Sequence, residues 1–253
     1  MVEITRVNSE PPCEKKKRVI LVVDSDAAHL YYTGILLQRL DYEIHTLKTA
    51  EDALEFMDVT LPALILTETT LRGVDGLELL KTVKRNPRTK SIPVIMYSLS
   101  WNPVVKETCL REGCAAFLQK PIDPDVLYAA IQQATEATPR RYIRLSTCLS
   151  LAVGDEAGAG DSMAGNCITA LSENGVYINT PAPRAIGARL PLTIFLGKTK
   201  IKADGLVLYS FNLKEGPLHE PGMGIKFIHI KSEDQSLIRA FIKKELTRDL
   251  AQV

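Results

Sequence analysis

Five short apolar runs, each followed by a segment of helical periodicity, fill the first half of the chain, and this alternation limits the possible folds more than any other feature. Arg18–Val23 reads as a strand, with a run of valine, isoleucine and leucine of the kind that is covered on both faces of a parallel sheet. A helix follows, with Leu30, Leu37 and Leu40 at helical spacing. Further strands are expected at Tyr42–Leu47, Ala63–Thr67, Ile92–Ser98 and Ala115–Gln119, and helices at Ala50–Asp58 and Asp75–Arg85. Asn102-Pro103 and Asp123-Pro124 each place a capping side chain before a proline at the first helical position, and Gly113 stops the first of those helices. Such a succession predicts a doubly wound, five-stranded parallel sheet whose functional groups gather at the carboxyl ends of its strands.

The pattern changes at Thr138-Pro139. Strand-like runs follow at Tyr142–Val153, Asn166–Leu171, Val176–Asn179, Arg189–Leu196, Lys200–Ser210 and Gly224–Ile230. Turn clusters separate them at Gly154–Asp161, Ser172–Gly175, Pro181–Pro183, Gly197–Thr199 and Leu213–Gly222. This spacing predicts a small antiparallel barrel or sandwich. A helix closes the chain, with Ser232 and Gln235 as a capping box and Ile238, Phe241, Ile242 and Leu246 as its apolar stripe. The halves share no repeat. The expected organisation is therefore a flexible tail (1–17), an α/β domain (18–138) and an all-β domain with a terminal helix (139–253).

Bulk properties narrow the function classes. A net charge of +1 creates no strong field toward nucleic acid or acidic lipid. The one basic run, Lys15-Lys16-Lys17-Arg18, reads as a solubilising lead-in to the first strand. No apolar stretch approaches the roughly 20 residues that span a bilayer, and Met1 to Pro12 lacks a signal-peptide core, so a cytoplasmic protein is expected. Cys13, Cys109, Cys114, Cys148 and Cys167 show no metal-ligand spacing and read as reduced, mostly buried thiols. His29, His45, His219 and His229 are scattered, and no phosphate-binding loop or dinucleotide glycine fingerprint is present, so no enzyme is expected. DNA binding would need a basic recognition helix in a half that reads as β.

Asp24, Glu68, Ser98 and Lys120 each follow an apolar run. Their segments, Val19-Ile-Leu-Val-Val-Asp24, Pro62-Ala-Leu-Ile-Leu-Thr-Glu68, Gly73-Val-Asp-Gly76, Ile92-Pro-Val-Ile-Met-Tyr-Ser98 and Lys120-Pro121, occur in the order found in the receiver domain of response regulators, which the first half resembles from end to end. The resemblance implies phosphotransfer to an aspartate ending the third strand, with an acidic pair after the first strand to hold magnesium. This chain has Glu68 at the nucleophile's place and Ser25 at the second acidic place, with Asp26 one position on. A glutamate carboxylate stands about 1.5 Å further out, and in-line transfer tolerates errors of about 1 Å poorly. Losing a carboxylate weakens a site for Mg²⁺, a hard ion that requires oxygen ligands. Two roles remain open for Glu68: a permanent mimic of a phosphorylated aspartate that reaches Lys120 and the Ser98 hydroxyl, or a remnant in a receiver kept for its protein-binding surfaces. Tyr97 and Phe117, near the family's switch positions, are expected in the core.

In the second half, Arg140-Arg-Tyr-Ile-Arg144 precedes the first β-run, Leu171-Ser-Glu-Asn-Gly175 forms a turn, and Gly222-Met-Gly-Ile-Lys-Phe227 lies near the end. In this order they resemble PilZ domains, whose signature is an arginine pair with three residues between and an Asp/Asn-x-Ser-x-x-Gly turn. The resemblance implies a ligand, cyclic di-GMP, with Arg140, Arg144, Ser172 and Gly175 as its residues and Arg141 as a helper. Guanidinium groups suit it, because they donate in a fork to phosphate or to the guanine O6/N7 edge. Ala170 occupies the turn's acidic or amide position and cannot accept from guanine, which costs roughly 1–3 kcal/mol. Two functions remain: a cyclic di-GMP sensor without a resident cofactor, and a ligand-independent adaptor working through protein surfaces.

Overall fold

The computed structural model describes residues 17–154, 166–212 and 221–250. The tail through residue 16, with Cys13, Lys15 and Lys16, lies outside the described residues, as do most of the expected turns Gly154–Asp161 and Leu213–Gly222, with His219.

In the first half β1 (Val19–Val23), β2 (Glu43–Leu47), β3 (Leu64–Glu68), β4 (Val94–Ser98) and β5 (Ala116–Gln119) alternate with α1 (Ala27–Arg39), α2 (Ala50–Val59), α3 (Gly76–Arg85), α4 (Pro103–Arg111) and α5 (Pro124–Thr135). The strands form one parallel sheet in the order β2-β1-β3-β4-β5. Every residue of β3 and β4 is buried, which explains why these strands read as unbroken apolar runs. Leu21, Val23, Ile65, Leu79, Leu80, Val94 and Met96 form the centre of one core beneath the helices. Each such side chain stabilises the fold by about 1.5–3 kcal/mol on burial. The start signals work as read: Asn102 accepts from Val104 and Val105 N–H, and Asp123 from Asp125 N–H.

The second half is antiparallel: β6 (Leu145–Leu149), β7 (Leu151–Val153), β8 (Cys167–Ser172), β9 (Gly175–Asn179), β10 (Arg189–Leu196), β11 (Thr199–Phe211) and β12 (Gly222–Ile230), then α6 (Ser232–Thr247). They make a seven-stranded sheet in the order β6-β8-β9-β12-β11-β10-β7, curled as a half-barrel. The expected single run Tyr142–Val153 is two strands on opposite edges of that sheet. The break falls at Ser150, whose carbonyl accepts from Phe195 N–H at 3.1 Å.

The capping box is also corrected. Lys231 is the N-cap of α6 and gives no side-chain cap bond, so Ser232 is already helical and its carbonyl accepts from the Ser236 hydroxyl. The Gln235 amide donates instead to Glu173 O at 3.3 Å and to Asn174 Oδ1 at 3.0 Å. At the other end of α6, Arg39 Nη1 donates to the carbonyls of Leu246 (2.8 Å) and Arg248 (2.6 Å). Ile238, Ile242 and Leu246 are buried as expected, while Phe241 is half-buried.

The chain divides into two compact units. One comprises Lys17–Thr147, Ala170–Asn174 and Lys231–Val253, and the other has Cys148–Thr169 and Gly175–Ile230 as its main part.

Candidate functional site

At the carboxyl edge of the parallel sheet, β1 delivers Asp24, β3 ends on Glu68, β4 ends on Ser98 and β5 leads into Lys120, and all four side chains are buried. Lys120 Nζ lies 2.5 Å from Asp24 Oδ2 and 2.5 Å from Glu68 Oε2, with His29 Nδ1 at 3.3 Å and the Tyr97 ring centroid at 4.2 Å. One ammonium thus bridges two carboxylates away from water. In that low-dielectric setting each bond is electrostatically stronger than at the surface, and loss of a partner is costly.

The remaining oxygens are used. Glu68 Oε1 accepts from Thr69 N–H at 2.7 Å and from the Thr69 hydroxyl at 2.8 Å. Asp24 Oδ2 also accepts from the Tyr97 hydroxyl at 2.9 Å, and Asp24 Oδ1 accepts from Asp26 N–H at 2.9 Å. Among the described residues no buried side-chain polar atom lacks a partner. Burial, followed by the charge of Asp24 and the hydrogen bond to it, raises the Tyr97 hydroxyl well above its ordinary value.

Three details refine the sequence reading. Glu68 reaches Lys120 directly but meets Ser98 only through Thr69, whose hydroxyl lies 2.9 Å from Ser98 Oγ. Asp26 is committed to capping α1, accepting from Ala28 N–H (2.8 Å) and His29 N–H (3.1 Å). The His29 and Ala28 bonds hold its carboxyl below the usual range. Tyr97 is fully buried, as expected, yet it is also a member of the site. Phe117 packs against the core and meets Trp101 edge-on at 6.3 Å.

The donor set does not fit the magnesium ion that the fold implies. Ser25 stands at one acidic place, Asp26 caps a helix, and the Lys120 ammonium already occupies the space between the two remaining carboxylates. Among the described residues, no group of three His, Cys, Asp or Glu side chains could hold a metal.

Gly76 makes the site possible. A Cβ there would stand 1.9 Å from Glu68 O, so only glycine lets the start of α3 press against the end of β3. A cavity of about 230 Å³ opens beside the lysine, with Tyr32, Tyr97, Leu127 and Lys243 in its lining.

The second candidate site is spread along the chain between α5 and β9. Arg140, Arg141 and Arg144 are exposed in the segment after α5. Burial raises the Tyr128 hydroxyl, while the charges of Arg140 and Arg144, and an Arg140 hydrogen bond, pull it the other way. Arg140 N–H donates to Gln132 Oε1 at 3.1 Å, and the Arg141 guanidinium lies 5.3 Å from the Tyr142 ring centroid. Ser172 ends β8 and Gly175 opens β9, flanking a two-residue turn. Glycine is required at 175 by packing, since a Cβ would stand 2.2 Å from Ile225 O.

No local motif points to what holds this turn. Glu173 is buried and accepts from Arg239 Nε at 2.8 Å and Nη2 at 2.7 Å, in the two-pronged geometry that favours arginine. His29 and Thr69, in the first site, were likewise unforeseen. Thr69 could have been found from its position next to Glu68, whereas His29 and Arg239 carry no local signal.

Comparison with known proteins agrees with both halves. Residues 20–132 match the family model of the response regulator receiver domain, and residues 138–244 match that of the PilZ domain. The chain is similar to the two-component response regulator ORR3 of Oryza sativa subsp. indica, with 31% identity over 106 residues, 42% of this chain and 81% of that protein. It is 31% identical over 116 residues to the response regulator PleD of Caulobacter vibrioides, covering 46% of this chain and 26% of PleD. A solved structure with a similar backbone is the signal receiver domain of an HD domain-containing protein from Pseudomonas fluorescens, at 27% identity and TM-score 0.45, covering 47% of this chain and 94% of that one. The chain spans 64% of ORR6 of Oryza sativa subsp. japonica, 49% of Rre1 of Synechocystis and 26% of PleD.

Proposed function

Since the chain belongs to the response-regulator family and joins a receiver domain to a PilZ domain, we propose that it is a non-enzymatic, cytoplasmic signalling effector that senses cyclic di-GMP. The PilZ match carries this reading, because it falls on the segment holding the arginine pair and the Ser172–Gly175 turn. Arg140 and Arg144 supply charge and stacking to the ligand, Arg141 assists, Ser172 offers a hydroxyl, and Gly175 keeps the turn close to the sheet. Both domain types are regulatory, and no described helix is long and apolar enough to cross a membrane.

In this reading the receiver domain (18–138) works without a phosphoryl group. Its Lys120 is held by Glu68 and Asp24, so the lysine is already engaged by a carboxylate at the phosphoacceptor position. The domain serves as a regulatory or protein-binding module for the PilZ domain (139–253).

Titration calorimetry of the whole protein with cyclic di-GMP tests the sensor. Binding is expected, weakened by Ala170, and Ala170→Asp should tighten it by one to two decades, the equivalent of roughly 1–3 kcal/mol. Absence of binding in both proteins would leave the ligand-independent adaptor as the function.

A further inference from the structure

Cys148 stands in edge strand β6 and Cys167 opens its neighbour β8, far enough apart in sequence that no motif links them. Their sulfurs nevertheless lie 3.0 Å apart, and both are free thiols. That is about 1 Å longer than a formed disulfide bond. Cys148 is exposed and Cys167 half-buried, contrary to the expectation of mostly buried thiols.

The other described cysteines contrast with them. Cys109 and Cys114 are buried, and burial raises both thiols, Cys114 to about 12, which withholds the thiolate from reaction. Contact with the Cys148 sulfur, followed by burial, raises Cys167 as well, so Cys167 keeps its proton while the exposed Cys148 meets solvent first.

We propose that Cys148 and Cys167 are a redox modification site, which a peroxide converts to a reversible disulfide fastening β6 to β8. The Cys148 thiolate attacks one peroxide oxygen, the O–O bond breaks, and water or an alcohol leaves, giving a sulfenic acid. The Cys167 sulfur then attacks the Cys148 sulfur, the S–S bond forms, and hydroxide departs with the Cys167 proton as water. With hydrogen peroxide, the two thiols lose two hydrogens and two electrons, and the peroxide becomes two waters. A dithiol reductant returns both thiols by exchange. The strand fastened in this way has β8 as its one sheet neighbour among the described residues and begins directly after Arg144. This chemistry does not depend on the nucleotide reading.

The test uses the reduced whole protein, a small excess of hydrogen peroxide, an alkylating quench under denaturing conditions, and intact-mass analysis with a non-reducing peptide map. The expected result is a loss of two hydrogens, a linked Cys148–Cys167 peptide pair, recovery with dithiothreitol, and Cys109 and Cys114 still open to alkylation. Cys148→Ser and Cys167→Ser should each abolish the linked pair. Addition of oxygen to Cys148 with Cys167 still alkylatable, a cross-link to any other cysteine, or disulfide-linked dimers would each overturn the proposal.

Discussion

Lys120 Nζ and Glu68 Oε2 stand 2.5 Å apart, with both side chains at least nine-tenths withdrawn from water. The same ammonium lies 2.5 Å from Asp24 Oδ2, so one cation is shared by two buried carboxylates. A strand-end site of this kind is closed by its own charges. Opening it means separating buried opposite charges, which is far costlier than breaking a surface pair.

Phosphotransfer should accordingly fail. Incubation with acetyl phosphate and Mg²⁺, followed by intact-mass analysis, should show no phosphoryl adduct. A stoichiometric adduct that disappears in Glu68→Gln would reverse this expectation.

Tyr97→Phe removes the hydroxyl that donates to Asp24. A hydrogen bond to a charged group contributes roughly 1.5–3 kcal/mol, and a loss of that size should appear in urea unfolding at neutral pH. Because the folded-state value of Tyr97 is raised above the ordinary value of 10.0, its contribution is fully present below about pH 10 and is lost as pH rises toward the folded value. The variant should therefore lose less stability than wild type above pH 10. Parallel curves for the two proteins would contradict the buried, neutral tyrosine.

Arg239→Ala leaves the Glu173 carboxylate buried without its two-pronged partner. Denaturant unfolding should show a lower midpoint than wild type. Arg239→Ala with Glu173→Gln should recover part of the difference, because the stranded charge is removed. A double variant no more stable than Arg239→Ala alone would show that the arginine acts through packing.

Arg144→Ala should lower cyclic di-GMP affinity more than tenfold, since charge-assisted bonds to phosphate are worth roughly 1.5–3 kcal/mol each. Binding to the wild type should weaken as salt rises, because an exposed arginine is screened. Calorimetry at two ionic strengths decides both points.

The α/β half was legible almost to the residue, because its signals are local: apolar runs at β3 and β4, and Asn102 and Asp123 capping their helices. The quartet Asp24, Glu68, Ser98 and Lys120 could be read from strand ends alone. What escaped depended on contacts between distant segments. Gln235 looked like a capping residue until the turn at Asn174 provided a partner sixty-one positions away. Cys148 and Cys167 looked unrelated because only strand pairing unites them. The run Tyr142–Val153 kept its alternating pattern through Ser150, so nothing in its hydropathy marked the point where the chain leaves one edge of the sheet for the other.

That single residue has a consequence for how the sheet meets other molecules. β6 and β7 are the outermost strands of the seven, yet they are consecutive in the chain, with Ser150 alone between them. The two rims are therefore joined by a single residue of chain. Open sheets ordinarily expose two rows of unpaired backbone groups that can template a foreign strand, and they need charges, bulges or prolines to discourage it. Here, among the described residues, the backbone itself brings one end of each rim to a common point at Ser150.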